Sequence, residues 1–171
     1  LGRELFLQNG YTDIGMDHFA LPGDELYIAW QNGDLHRNFM GYTTRYTRLM
    51  LGLGVSAISD TGNAFAQNKK SLRDYYLKTD RDEPALEKGY FLNEEDEIFR
   101  RYIHDISCTG KTRFDSRFAD LLETYSFPEL EKLKEDGLVA FDRDHAEATW
   151  SGKNFIRNIC RAFDLHLLRN T

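Results

Sequence analysis

Leu138-Val139-Ala140-Phe141-Asp142-Arg143-Asp144-His145-Ala146-Glu147-Ala148-Thr149-Trp150-Ser151 sets a short apolar run and a second short segment on either side of a charged turn. That order predicts a β-hairpin over residues 138–150. Trp150 is expected to pack beneath it. Ser151 is expected to cap a last helix running to about residue 168, with Phe155, Ile159, Phe163 and Leu167 near one face. Upstream, residues 115–123 and 128–136 read as two helices. Asn93 reads as the N-cap of another, with acids at 94–97 facing the helix dipole and Ile98, Phe99, Tyr102, Ile103 and Ile106 marking its apolar stripe. Helices, then a hairpin, then a helix predict a mostly helical, winged-helix-like domain.

The N-terminal part has another texture. Residues 1–9 read as a helix end stopped at Asn9-Gly10, and a short strand is expected within residues 11–20. Helix, glycine stop and strand in that order suggest one step of a parallel α/β structure. Asp24 is expected to cap a helix to Gln31, stopped by Asn32-Gly33. Residues 35–47 read as a long loop. Residues 49–58 read as a second buried strand, whose glycines suggest close backbone approach. Residues 63–68 read as loop, and Ser71 starts a helix that ends by Pro84. The fold class expected is α+β: a remnant of a partial TIM-like α/β barrel in residues 1–70, then a helical domain with a short hairpin in residues 71–171.

The chain has 171 residues, 41% of them hydrophobic, and a formal net charge of -6. A broad nucleic-acid footprint needs a basic surface, so that partner is not expected, although Lys153, Arg157, Arg161 and Arg169 follow the hairpin. No run of eighteen apolar residues occurs, so no membrane span is expected. The start, Leu1-Gly2-Arg3-Glu4-Leu5, lacks a signal-peptide pattern and an initiator Met, and is expected to be a cut within a longer protein. Two cysteines occur, Cys108 and Cys160; free thiols in a reducing cytoplasm are expected, with a lone disulfide as the alternative.

Several blocks stand in a fixed order: Ile14-Gly15-Met16-Asp17-His18-Phe19-Ala20, His36-Arg37-Asn38-Phe39, Gly41-Tyr42-Thr43-Thr44, residues 51–59 (LGLGVSAIS), Phe65-Ala66-Gln67-Asn68 and Arg157-Asn158-Ile159-Cys160. Together they resemble the C-terminal part of the oxygen-independent coproporphyrinogen III oxidases (coproporphyrinogen dehydrogenases), radical S-adenosylmethionine enzymes. The radical-type heme chaperones resemble the same region, and give the alternative reading of heme binding and delivery. They commonly lack the wording at residues 37–44, which favours the oxidase.

The resemblance implies a cytoplasmic parent enzyme of heme biosynthesis. That parent would decarboxylate coproporphyrinogen III oxidatively to protoporphyrinogen IX, using S-adenosylmethionine and a 4Fe-4S cluster on three cysteines. It places Ile58 against a second S-adenosylmethionine, and Phe39 and Met40 near that site. Many relatives carry Gln where Met40 stands, and a thioether cannot replace an amide's donors.

Asp17 and His18, at a strand end, are candidates for the cavity lining, or for a pair that fixes a loop. His36 and Arg37 are candidates for binding substrate carboxylates, or for anchoring their loop. Tyr42 is a candidate cavity residue, while Thr-rich loops often bond their own backbone. His104, His145 and His166 show no ligand spacing and are expected to be surface or satisfied helix residues. Two cysteines cannot supply three thiolates. No catalytic residue, bound cluster or bound cofactor is therefore expected of this chain, and the barrel strands are expected to be exposed or hidden by dimerisation.

Overall fold

The computed structural model describes residues 1–170. In chain order the elements are α1 (Gly2–Gln8), β1 (Thr12–Gly15), β2 (His18–Ala20), α2 (Glu25–Asn32), β3 (His36–Asn38), β4 (Gly41–Thr43), β5 (Ile58–Asp60), β6 (Ala64–Asn68), α3 (Leu72–Thr79), β7 (Leu86–Phe91) and α4 (Glu94–Thr109). Then follow β8 (Lys111–Arg113), α5 (Ala119–Leu121), α6 (Phe127–Glu135), β9 (Val139–Phe141), β10 (His145–Ala148), α7 (Ile156–Arg161) and α8 (Leu165–Leu168). They form two compact bodies. The first is discontinuous, residues 1–45 with 98–171, and the second is residues 46–97. The bodies are therefore drawn along other lines than the expected 1–70 and 71–171.

The α+β class holds: helices and strands are mixed throughout. The expected parallel pairing does not. Every paired strand among the described residues is antiparallel. Residues 11–20 are a hairpin, β1 against β2, joined by Met16 and Asp17 at φ +44° and +68°. Two consecutive left-handed residues are the turn chemistry that closes a two-residue hairpin, and they leave no room for a parallel crossover. Residues 35–47 are also a hairpin, β3 against β4, rather than a loop.

The second body corrects two further expectations. Residues 63–68, read as loop, hold β6, the centre of the sheet β5-β6-β7. Residues 49–58, read as a buried strand, contribute one bridge from Met50 to Asp60 and the start of β5. The Asn68 amide donates to the carbonyls of Gly52 and Gly54 at 3.1 and 2.9 Å, and so satisfies loop backbone that a strand partner would have taken. The glycines do permit close approach: a Cβ on Gly52 would lie 2.6 Å from the Ile58 carbonyl oxygen. Leu49, Leu51 and Leu53 are exposed, Leu53 at 90%.

The winged-helix-like order is present in the first body. β8, unforeseen, joins the hairpin to make the sheet β8-β10-β9. Helix α4 buries Phe99, Tyr102 and Ile106, spaced three and four apart, beneath Leu122, Leu130, Val139, Ile159 and Phe163. Each fully buried aliphatic side chain contributes about 1.5–3 kcal/mol. Tyr102 packs against Phe99, Phe114 and Phe163 at 5.2–5.7 Å between ring centroids. Its hydroxyl accepts from the Asp115 backbone N–H at 2.8 Å. Asn93 and Asp96 cap α4 reciprocally, at 2.9 and 3.0 Å.

Three C-terminal details differ from expectation. Ser151 makes no side-chain cap; the Thr149 hydroxyl accepts from Gly152 N–H at 3.0 Å instead. The last helix breaks into a 3₁₀ turn, α7 and α8, because Asp164 caps a new start by accepting from Leu167 N–H at 3.0 Å. The buried line runs through Ile156, Ile159, Phe163 and Leu165, leaving Phe155 and Leu167 outside it. Trp150 is 79% exposed and anchors nothing beneath the hairpin.

Gly152 shows how tightly the chain returns past the hairpin: a Cβ there would fall 1.8 Å from the Leu138 carbonyl oxygen. Backbone must shift to admit it. Gly152→Ala is expected to lower the unfolding free energy by about 3 kcal/mol, since overpacking against rigid backbone sits at the costly end of such changes. Urea denaturation of the variant beside the parent checks this.

Candidate functional site

Helix α4 ends at Thr109, so its last carbonyls lack helical partners. Gly110 N–H closes on Ile106. The Ser107 carbonyl is taken by the Tyr42 hydroxyl, which donates to it at 2.6 Å. Strand β4 thereby bonds to the C-terminal end of α4. Burial pushes the Tyr42 phenol up to about 12, with Cys108 adding to the shift and Arg37 opposing it. Cys108 also packs against the small core of Ile14, Ala20, Ala29 and Leu35.

Two of the candidates, His18 and Arg37, gather around that phenol. The His18 ring meets Tyr42 edge-on at 5.0 Å between centroids. His18 Nδ1 lies 3.0 Å from the Met16 carbonyl oxygen. The Arg37 guanidinium carbon lies 5.8 Å from the Tyr42 ring centroid. Arg37 Nε is buried with no hydrogen-bond partner among the described residues. The His36 ring faces His104 at 5.6 Å. Burial, then the charge of His104, lowers its pKa below the ordinary histidine value, against an opposing pull from Asp34.

The remaining candidates lie apart. Phe39 and Met40 form the two-residue tip between β3 and β4, and Met40 is 90% exposed. The Asn38 side chain holds that tip by accepting from Met40 N–H at 2.8 Å. Asp17 sits in the exposed β1–β2 turn, 4.0 Å from Arg157. Ile58 starts β5 in the second body and pairs with Gln67.

A cavity of about 620 Å³ opens in the first body. Asp17 and Tyr42 line it; His18, His36, Arg37, Phe39 and Met40 do not. Its wall also includes Trp30, Cys108, Trp150, Lys153 and Arg157, which sequence reasoning did not bring together. Lys153 and Arg157 lie four apart after the hairpin, a spacing that could have flagged a shared face, but nothing in the sequence pairs that face with the end of α4.

His104 is a half-exposed helix residue, as expected, yet it is not isolated. The Asp105 carboxylate, at an ion-pair distance of 3.9 Å, and then the Cys108 sulfur at 3.7 Å raise its pKa to about 9. His145 pairs with Asp142 at 2.9 Å. Both cysteines are free. No group of three His, Cys, Asp or Glu side chains that could hold a metal ion occurs among the described residues. Two thiols in the whole chain do not fit a cluster held by three thiolates.

No family profile matches the chain. In fold it is similar to a solved radical S-adenosylmethionine enzyme from Escherichia coli, with a TM-score of 0.87 and 41% identity over 96% of this chain and 39% of that one. That enzyme is coproporphyrinogen III oxidase. Among curated proteins, the chain is 43% identical to the oxygen-independent coproporphyrinogen III oxidase of Escherichia coli K12, over 94% of this chain and 36% of the relative. It is 40% identical to the Synechocystis protein of the same name and 39% identical to that of Pseudomonas aeruginosa, again over 36% of each. Over that part of their length, the chain is a homologue of the oxygen-independent coproporphyrinogen III oxidases. No helix is long and apolar enough to cross a membrane.

The Tyr42 bond is open to direct test. Tyr42→Phe strips a buried carbonyl of its partner and is expected to cost about 1–2 kcal/mol in urea denaturation. A phenol raised from 10 in the unfolded chain to about 12 when folded lends stability that is complete below pH 10 and lost as pH rises to 12. The Phe variant is expected to lose less stability over that window.

Proposed function

We propose that this chain is the C-terminal part of an oxygen-independent coproporphyrinogen III oxidase, a cytoplasmic enzyme. The longer protein would decarboxylate coproporphyrinogen III oxidatively to protoporphyrinogen IX, in heme biosynthesis. The observation that carries this reading is the 43% identity over 94% of the chain, accompanied by a TM-score of 0.87 to a solved relative. The chain's own two cysteines do not fit a 4Fe-4S cluster. In this reading the cluster and S-adenosylmethionine, which supply radical chemistry when bound, are held by parts of the longer protein, and residues 1–171 supply scaffold and cavity lining.

Within that role, Arg37 has the chemistry to meet a porphyrinogen propionate: its buried Nε has a hydrogen to offer and no partner among the described residues. His18, His36 and Tyr42 would hold that guanidinium's surroundings in place. Phe39 and Met40, at an exposed tip of the first body, would face S-adenosylmethionine. Asp17 would line the cavity mouth. An anaerobic assay of the longer protein with S-adenosylmethionine and a reductant is expected to yield protoporphyrinogen IX. The 171-residue chain alone is expected to yield none, and to retain no stoichiometric iron after reconstitution. A longer protein that binds cofactors but leaves the porphyrinogen unchanged would sink the proposal.

The exposed row of Leu49, Leu51, Leu53 and Val55 bears on the isolated chain. Residues 46–97 bury only Ala85 fully among their apolar side chains. We propose that the chain by itself hides this row by dimerising. Light scattering at increasing concentration is expected to show mass rising above 19.9 kDa and Leu53→Glu to reduce it; a monomer at every concentration would refute it.

A further inference from the structure

We propose that the 620 Å³ cavity of the first body takes a small anionic disulfide, and that Cys108 on its wall exchanges with it to form a mixed disulfide. Three arrangements carry this. Cys108 is only partly buried and lines the cavity, so a ligand there can reach the sulfur. His104 stands one helical turn earlier, with Nε2 3.7 Å from that sulfur, and the Asp105 carboxylate favours the charged imidazole. Lys153 and Arg157 line the same cavity, Arg157 4.0 Å from the Asp17 carboxylate on that wall, and suit carboxylates on the incoming molecule.

The thiolate is the attacking species in such an exchange, and a neighbouring cation favours it. Cys108 lies in the last turn of α4, with the His104 ring beside its sulfur. The reaction is balanced without an added oxidant. Cys108 Sγ gives up its proton and attacks one sulfur of the disulfide. A new S–S bond forms, the old one breaks, and the departing half leaves as a thiolate that takes a proton.

Cys160 is an internal control. It is absent from the cavity wall, its thiol donates to the Ile103 carbonyl at 3.6 Å, and burial pushes it up to about 12. It is expected to stay protonated and unreactive.

The test follows the chain under glutathione disulfide, with peptide mass mapping and second-order rates at each cysteine. Cys108 is expected to gain glutathione at least about tenfold faster than Cys160. His104→Gln is expected to slow Cys108 about fivefold, and His104→Lys, which keeps a cation one turn away, to restore most of the rate. The double change Lys153→Ala with Arg157→Ala is expected to slow glutathione disulfide but not neutral hydroxyethyl disulfide. Equal rates at the two cysteines, or a His104→Gln rate matching the parent, would overturn the assignment of Cys108. Equal slowing of both disulfides would overturn the anionic ligand. Circular dichroism melts of each variant separate lost reactivity from lost fold, and a His104→Lys protein that is folded but as slow as His104→Gln counts against the charge argument.

Discussion

The hydrogen bond from the Tyr42 hydroxyl to the Ser107 carbonyl links sequence positions sixty-five apart. It matters because the first body is discontinuous: residues 1–45 and 98–171 share it, with 46–97 folded as a body of their own. A helix end leaves carbonyls that something must satisfy, and a buried phenol needs an acceptor. Each requirement answers the other here. Around this bond lie the small core of Ile14, Ala20, Ala29 and Leu35, the His18 and Arg37 side chains, and Cys108. One neutral hydrogen bond contributes only about 1 kcal/mol net, so its weight is geometric as well as energetic. It fixes which face of α4 the β3–β4 hairpin meets.

That placement explains why the candidate residues fall into separate groups. His18 on β2 and Arg37 on β3 gather around the phenol of Tyr42 on β4. Residues in the two-residue turns, Asp17, Phe39 and Met40, are held out from it by the same hairpin geometry. A turn residue cannot also lie in the ladder that positions its neighbours. This chain spans little more than a third of the curated relatives named above.

Local signals were legible where one residue type has one physical use. Asp24 and Gly33 bound α2 because a carboxylate can accept from the first-turn N–H and only a residue tolerant of positive φ ends the helix so tightly. Asn93 with Asp96, and Ser71, mark helix starts for the same reason. The apolar stripe of α4 also read correctly, and the hairpin expected over 138–150 forms with strands at 139–141 and 145–148. The parallel strand over 11–20 did not, because Met16-Asp17 lacks the Asn-Gly wording by which such turns are usually noticed. Residues 49–58 misled because alternating Leu and Gly resemble a buried strand, while the Asn68 amide fixes them as loop. Of the site, the residue types were legible but their grouping was not: Tyr42 was named without its partner, and Cys108 with His104 was passed over.

The sequence by itself determined the starts of α2, α3 and α4, the mixed α+β class, the lack of a third thiolate, and the kinship carried by ordered blocks from Ile14 to Cys160. These are local or compositional, and short-range chemistry decides them. Only the tertiary structure decided which strands pair, that the first body closes across an intervening one, and that an imidazole, a thiol and two cations surround one cavity. Those depend on contacts between residues far apart in the chain, where many pairings satisfy the same local preferences and packing selects one.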